Sequence, residues 1–112
     1  MLSIRIEETP GFRIAHLDGE FTASSSEAAA GDLHEQVGQA GAKLAIDLSK
    51  VTVLDSTGLS ILMNVVSRAR LAAGQVVLVA PTPFVRSVFA VTKLDGWFEI
   101  CDALDQARAR LD

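Results

Sequence analysis

The run Lys43-Leu44-Ala45-Ile46-Asp47-Leu48 is apolar except at its ends, the pattern of a strand covered on both faces rather than one alternating between core and water. The residues after it narrow the fold further. The chain is expected to cross a short turn through Val51 and Leu54. From Asp55-Ser56-Thr57-Gly58 onward the apolar period changes, and Leu59, Leu62, Val65, Val66, Ala69 and Ala73 recur at helical spacing, with Gly74 as the stop. A doubly covered strand that feeds an amphipathic helix is the repeating unit of a parallel α/β sheet.

The remaining segments fit around that unit. Ser3 to Glu8 alternates, with Ile4 and Ile6 on one face, and Thr9-Pro10-Gly11 forms a turn into a second strand that ends at Gly19. Phe12 and Ile14 share one face of that strand with His16 or Asp18, and Arg13, Ala15 and Leu17 share the other. So short a connection makes the two strands antiparallel neighbours. After a polar loop, Ser24-Ser25-Ser26-Glu27 fits a capping box with Ser24 as cap. The helix it opens is expected to reach Ala40, with Ala29, Leu33, Val37 and Ala40 as its apolar stripe and Gly41 as its stop. Gln75 to Ala80 is the fourth strand. Thr82 caps the next helix, with Pro83 in its first turn, Phe84, Val85, Val88, Phe89 and Val91 on its buried face, and Gly96 closing it. Trp97 to Cys101 is a short fifth strand, and Asp102 caps a last helix carrying Ala103, Leu104, Ala107 and Leu111.

The expected order is therefore ββαβαβαβα. Residues 1–112 read as one α/β domain, with a mixed, mostly parallel five-stranded sheet, an antiparallel N-terminal hairpin and four helices. Charge and composition narrow the function. The formal charge is -4, with Lys and Arg scattered singly, which gives no footprint for nucleic acid. No apolar run approaches the roughly 20 residues of a membrane span, and the N-terminus lacks the pattern of a secretory signal, so a cytoplasmic location is the default. Cys101, the single cysteine, supplies neither a disulfide nor a cysteine metal cluster and reads as core filler. No glycine-rich phosphate cradle is present, and neither a cofactor nor a metal is expected.

Ser56 is the candidate functional atom, at a helix start where its hydroxyl meets unpaired backbone amides. In the simplest reading Asp55 or Ser56 is an ordinary helix cap, worth about 1 kcal/mol. A catalytic nucleophile is a second reading, but the elbow pattern would place glycine at position 54, where this chain has Leu54, and the base would have to come from His16 or His34. No catalytic residue is therefore assigned. The third reading is a phosphorylatable switch, since a phosphate at a helix N-terminus is tolerated by the fold and felt by a partner.

The run Leu44-Ala45-Ile46-Asp47-Leu48-Ser49, Val51-Thr52, Leu54-Asp55-Ser56-Thr57-Gly58-Leu59 resembles the signature of the STAS family, the bacterial anti-sigma factor antagonists. The resemblance implies that Ser56 is phosphorylated by a cognate serine kinase that is also the anti-sigma factor. It further implies that the unphosphorylated form binds this kinase and frees the sigma factor, and that a serine phosphatase resets the switch. Asp55 matches the family's acidic neighbour, Gly58 its close-approach position and Asp47 its strand-end carboxylate. Gly19-Glu20-Phe21-Thr22 departs from the family's loop, with Thr22 where the family has aspartate.

The expected partner surface comprises Asp55, Thr57, Gly58, Ser60, Asn64 and Ser67, with Thr22 and Asp47, and Leu71 as a far contact on the same helix face. A monomer or weak dimer without direct membrane insertion is expected. A non-catalytic STAS subunit of a larger assembly, a lipid-transport ABC complex or a stressosome-type scaffold, is the alternative. A receiver domain of similar length would begin with a strand followed directly by a helix, whereas this chain begins with a hairpin.

Overall fold

The computed structural model describes residues 1–111 and contains one five-stranded sheet in the order β1-β2-β3-β4-β5. The elements are β1 (Leu2–Thr9), β2 (Phe12–Phe21), α1 (Glu27–Gln36), β3 (Lys43–Leu54), α2 (Ser56–Leu71), β4 (Gln75–Val79), α3 (Pro83–Val91), β5 (Ile100–Cys101) and α4 (Leu104–Leu111), the expected ββαβαβαβα. The β1–β2 hairpin is antiparallel and turns on Pro10 and Gly11, whose φ of +91° suits the second turn position. The other pairings, β2–β3, β3–β4 and β4–β5, are parallel.

Because strand order follows chain order, crossovers of one hand place their helices on one face of the sheet. The core agrees. Leu33 and Val37 at the end of α1, Leu62 and Val65 of α2, and Val85 and Phe89 of α3 share one cluster with Leu17, Phe21, Ile46, Leu48, Val51 and Leu54 of the sheet. Under α4 lies a smaller cluster of Phe12, Ile14, Ala45, Val77, Val79, Cys101, Ala107 and Leu111.

The strands run further than their sequence pattern suggests. β2 continues past Gly19 to Phe21, and β3 continues past Leu48 to Leu54, so the expected turn through Val51 and Leu54 is strand. Two register shifts explain it: His16 pairs with Asp47 but Asp18 with Lys50, and Gly19 with Val51 but Glu20 with Val53. Each inserts one extra residue into β3, and such bulges break the in-out alternation. Ser49 and Lys50 are both exposed while Leu48, Val51 and Leu54 are buried. β4 ends opposite Asp47, so the last part of β3 projects beyond it and carries the start of α2 to the rim of the domain.

Other boundaries shift for local reasons. Ser26, not Ser24, precedes α1, without a side-chain cap bond; α1 ends at Gln36, leaving Ala40 exposed and Gly41, at φ +73°, in the turn to β3. α2 ends at Leu71, Ala73 is exposed, and Ala73 rather than Gly74 takes the left-handed conformation. Lys93 does the same after α3 in place of Gly96, and Trp97 lies outside β5. Phe84 and Val91 are exposed, not core. Asp102 does not cap α4; its carboxylate accepts from Arg86 Nη2, and its N–H donates to Gln106 Oε1. Thr82 does cap α3, accepting from the Val85 N–H at 3.4 Å.

Candidate functional site

The rim where β2 and β3 end is knotted together by Asp55. Its backbone is extended and its Oδ1 accepts the N–H groups of Thr57 and Gly58, both at 3.0 Å, so Asp55 is the cap of α2. Oδ2 accepts the Ala23 N–H at 3.0 Å, and the Asp55 N–H donates to the Phe21 carbonyl at 3.3 Å. One residue thus pins the loop after β2, the end of β2 and the first turn of α2.

Ser56 is the first helical residue. It is exposed, and among the described residues its hydroxyl has no hydrogen-bond partner. The cap role therefore belongs to Asp55, and the Ser56 oxygen is left to solvent. Thr57 is exposed beside it, and Gly58 is buried. A Cβ on Gly58 would fall inside the van der Waals envelope of the Phe21 carbonyl oxygen and 2.8 Å from Leu54 Cδ1, so α2 seats directly on the ends of both strands.

Thr22 reaches this rim. Its Oγ1 lies 3.1 Å from Ser24 Oγ and 3.2 Å from Ser25 Oγ, and Ser25 Oγ donates to the Glu20 carbonyl. These hydroxyls tie the loop to itself while Ala23 ties it to Asp55. Ser60 and Asn64 are exposed and Ser67 half-buried along α2, leading to Leu71 at 89% exposure.

Asp47 is elsewhere. It lies within β3, seven residues before Leu54 and so roughly 20 Å away along the strand. Its Oδ2 is 2.8 Å from His16 Nδ1, its Oδ1 accepts the Ser49 N–H at 3.0 Å, and His16 Nε2 is 2.8 Å from Glu7 Oε1. Asp47 is thus a brace across three strands, and it occupies His16. The signal for it was available: His16 and Asp47 are polar residues at facing positions of two apolar strands. His34, on α1, has its pKa lowered by burial and by the nearby Arg68. Neither histidine is hydrogen-bonded to Ser56.

Both aspartates ionise more readily than usual. At Asp55 the amide of Gly58, then that of Ala23, hold the carboxyl below its ordinary 3.8; burial opposes them with a smaller effect, and the amide of Thr57 adds a lesser lowering still. At Asp47 burial is the largest influence and pushes upward, but the amide and hydroxyl of Ser49 together with His16 outweigh it. A carboxyl depressed on folding contributes stability above its unfolded pKa, and that stability is lost as pH falls through the folded value. Urea unfolding midpoints are therefore expected to fall as pH drops below about 4. Asp55→Asn, which cannot titrate, is expected to show a shallower decline over that window; an unchanged slope would remove Asp55 from the account.

Among the described residues no three His, Cys, Asp or Glu side chains are grouped to hold a metal ion, and no helix is long and apolar enough to cross a membrane. The arrangement offers a free hydroxyl at a helix N-terminus, an ionised carboxylate beside it and an uncharged line of small polar residues below.

Comparison with known proteins points the same way. The family model of the STAS domain matches residues 3–107. BtrV of Bordetella bronchiseptica, assigned as an anti-sigma factor antagonist, is 25% identical over 108 residues, 96% of this chain and 93% of that protein. The crystal structure of an anti-sigma factor antagonist from Mycobacterium paratuberculosis superposes with a TM-score of 0.89 at 27% identity, covering 99% of this chain and 94% of that one. The phosphorylated form of SpoIIAA, a Bacillus cell fate determinant, shares the fold, with a TM-score of 0.75 at 20% identity over 98% of this chain and 100% of that one.

Proposed function

The chain belongs to the STAS domain family, with anti-sigma factor antagonists among its relatives, and from that premise we propose that it is a partner-switching antagonist controlled at Ser56. The unphosphorylated form binds an anti-sigma factor that is also a serine kinase, and the sigma factor is released. Phosphorylation of Ser56 ends that binding, and a serine phosphatase restores it. On this reading residues 1–112 act as one STAS domain in the cytoplasm, monomeric or weakly dimeric, without a catalytic step of their own.

The observation that carries the reading is the division of labour at the start of α2: Asp55 supplies the cap, and Ser56 keeps an exposed, unbonded hydroxyl. A hydroxyl free of structural duty can be modified without dismantling the helix. Phosphorylation adds about -1.5 to -2 charges. The new charge stands next to the Asp55 carboxylate, above a helix face on which Ser60, Asn64 and Ser67 are neutral and Arg68 lies more than three turns away. A partner surface matched to neutral hydroxyls then faces a concentrated anionic spot, a change that opposes docking strongly.

Incubation of the purified chain with each serine-kinase anti-sigma factor of its source organism and ATP is expected to add a single phosphate by intact mass, and Ser56→Ala is expected to remain unmodified. A chain that gains no phosphate from any of them, or a Ser56→Ala variant that gains as much as wild type, would refute the switch.

A further inference from the structure

We propose that the free edge of β1 pairs antiparallel with β1 of a second copy of this chain, in the register that sets Arg5 of each copy opposite Glu7 of the other. β1 is an outer strand of the sheet and eight residues long, whereas β5 at the opposite edge has only two. Its hairpin with β2 decides which backbone groups are free. Thr9 and Phe12 flank a two-residue turn and so form a hydrogen-bonded pair, and at the other end the Glu20 N–H donates to the Met1 carbonyl at 3.1 Å. Hydrogen-bonded pairs alternate along an antiparallel ladder, so Ser3, Arg5 and Glu7 bond inward to β2. Leu2, Ile4, Ile6 and Glu8 turn their N–H and C=O groups outward. A row of unpaired groups of that length is a template for another strand.

The side chains identify that strand as a second β1. Leu2, Ile4 and Ile6 pack on the main core cluster yet stay half-exposed, so apolar surface is left along this edge for a neighbour to cover. On the other face Arg5 and Glu7 are both exposed, and Arg5 Nη1 lies 3.8 Å from Glu7 Oε1, too far for a hydrogen bond. The Glu7 oxygen instead meets His16 Nε2 at 2.8 Å, which holds the carboxylate on this face. Two opposite charges on one face of one strand make that strand complementary to itself when it is reversed.

Charge then selects the register. With Ile6 on the two-fold axis, Ile6 bonds to Ile6 of the second copy and Ile4 to its Glu8, all through outward-facing groups. Arg5 stands opposite Glu7 of the second copy, and symmetry repeats the pair. Centred on Arg5 the ladder would set the two arginines face to face, and centred on Glu7 the two glutamates; like charges directly opposite destabilise a sheet. Centred on Ile4 it would be shorter and would leave Arg5 opposite Ser3. A strip roughly 25 Å long and one sheet thick is smaller than the about 800 Å² that a standard interface covers on each partner, so the dimer is weak, with a dissociation constant on the order of 100 μM. β3, whose end carries Ser56, lies two strands in from this edge, so each copy keeps its own α2 surface.

Sedimentation equilibrium from about 20 μM to about 1 mM is expected to show wild-type chain passing from monomer to dimer. Arg5→Glu and Glu7→Arg each set like charges opposite in both pairs and are expected to weaken self-association by more than about tenfold. The double variant restores opposite charges in both pairs and is expected to dimerise within about threefold of wild type. Amide exchange of the wild-type chain reads the same edge without a mutation. Exchange at Ile4, Ile6 and Glu8 is expected to slow several-fold over that concentration range, while Arg5 and Glu7, already bonded to β2, change little. A wild-type chain still monomeric at about 1 mM overturns the proposal. So does a dimer in which the amides of Ile4, Ile6 and Glu8 gain no protection, or a folded double variant that associates no better than the single ones.

Discussion

Ser56→Asp is expected to abolish binding of the proposed anti-sigma factor partner and to leave the melting temperature within a few degrees of wild type. Both halves follow from the geometry of the first turn of α2. The substituted side chain projects from an exposed helical position and displaces no hydrogen bond, because the cap belongs to Asp55 and the Ser56 hydroxyl is unpaired among the described residues. A carboxylate at a helix N-terminus gains about 0.3–1 kcal/mol from the backbone dipoles. Repulsion from the Asp55 carboxylate opposes that gain with similar size, so the net effect on folding is small. At the partner surface nothing offsets the new charge. A carboxylate buried without a counter-charge against a surface matched to neutral hydroxyls costs several kcal/mol, a loss of a hundredfold or more in affinity. Thermal unfolding and calorimetric titration of the same preparation check the two halves. A fall of more than about 10 °C would show that Ser56 is a structural cap after all. Undiminished binding by a folded variant would show that the hydroxyl is not what the partner reads.

The features that define the fold were legible in particular residues. Pro10-Gly11 between two alternating runs identified the hairpin, and the apolar run at Lys43–Leu48 followed by a change of period identified the parallel unit. Thr82 with Pro83 marked the start of α3. The features that escaped did so for physical reasons. The projecting end of β3 pairs with β2 through two bulges, and each bulge replaces alternation by a spacing of three, so Leu48, Val51 and Leu54 look like a turn. Three consecutive serines before α1 offered three caps, and the hydroxyls of Ser24 and Ser25 were already engaged with Thr22. At the site, Asp55 and Asp47 carry the same carboxylate within the same motif. Only the continuation of β3 separates them, leaving Asp55 at the rim and Asp47 bound to His16 in the sheet. Phe84 followed the apolar period of α3, but Val85 and Phe89 fix the phase of that helix and turn Phe84 outward.

Gly58→Ala sets two opposing effects against each other at the residue that seats α2. Alanine is favoured over glycine inside a helix by about 1 kcal/mol, and Gly31 in α1, where an added Cβ meets nothing within 4 Å, provides the isolated measure of that gain. Gly31→Ala is therefore expected to raise the melting temperature by a few degrees. At Gly58 the new methyl would overlap the Phe21 carbonyl oxygen and approach Leu54 Cδ1 to 2.8 Å. The obstacle is backbone that cannot swing aside. Phe21 is fully buried, ends β2 opposite Leu54, and its carbonyl accepts the Asp55 N–H at 3.3 Å. Relief requires α2 to lift from the strands, which strains the bonds of Asp55 to Thr57, Gly58 and Ala23 and moves Ser56 with them. Overpacking against rigid neighbours costs up to about 3 kcal/mol, which exceeds the helical gain. The net loss is about 2 kcal/mol, a fall of roughly 8–12 °C for a domain of this size. Thermal unfolding of the two alanine variants side by side separates the effects. If Gly58→Ala matched Gly31→Ala in direction, the close seating of α2 on β2 would be wrong, and with it the account of how Asp55 presents Ser56.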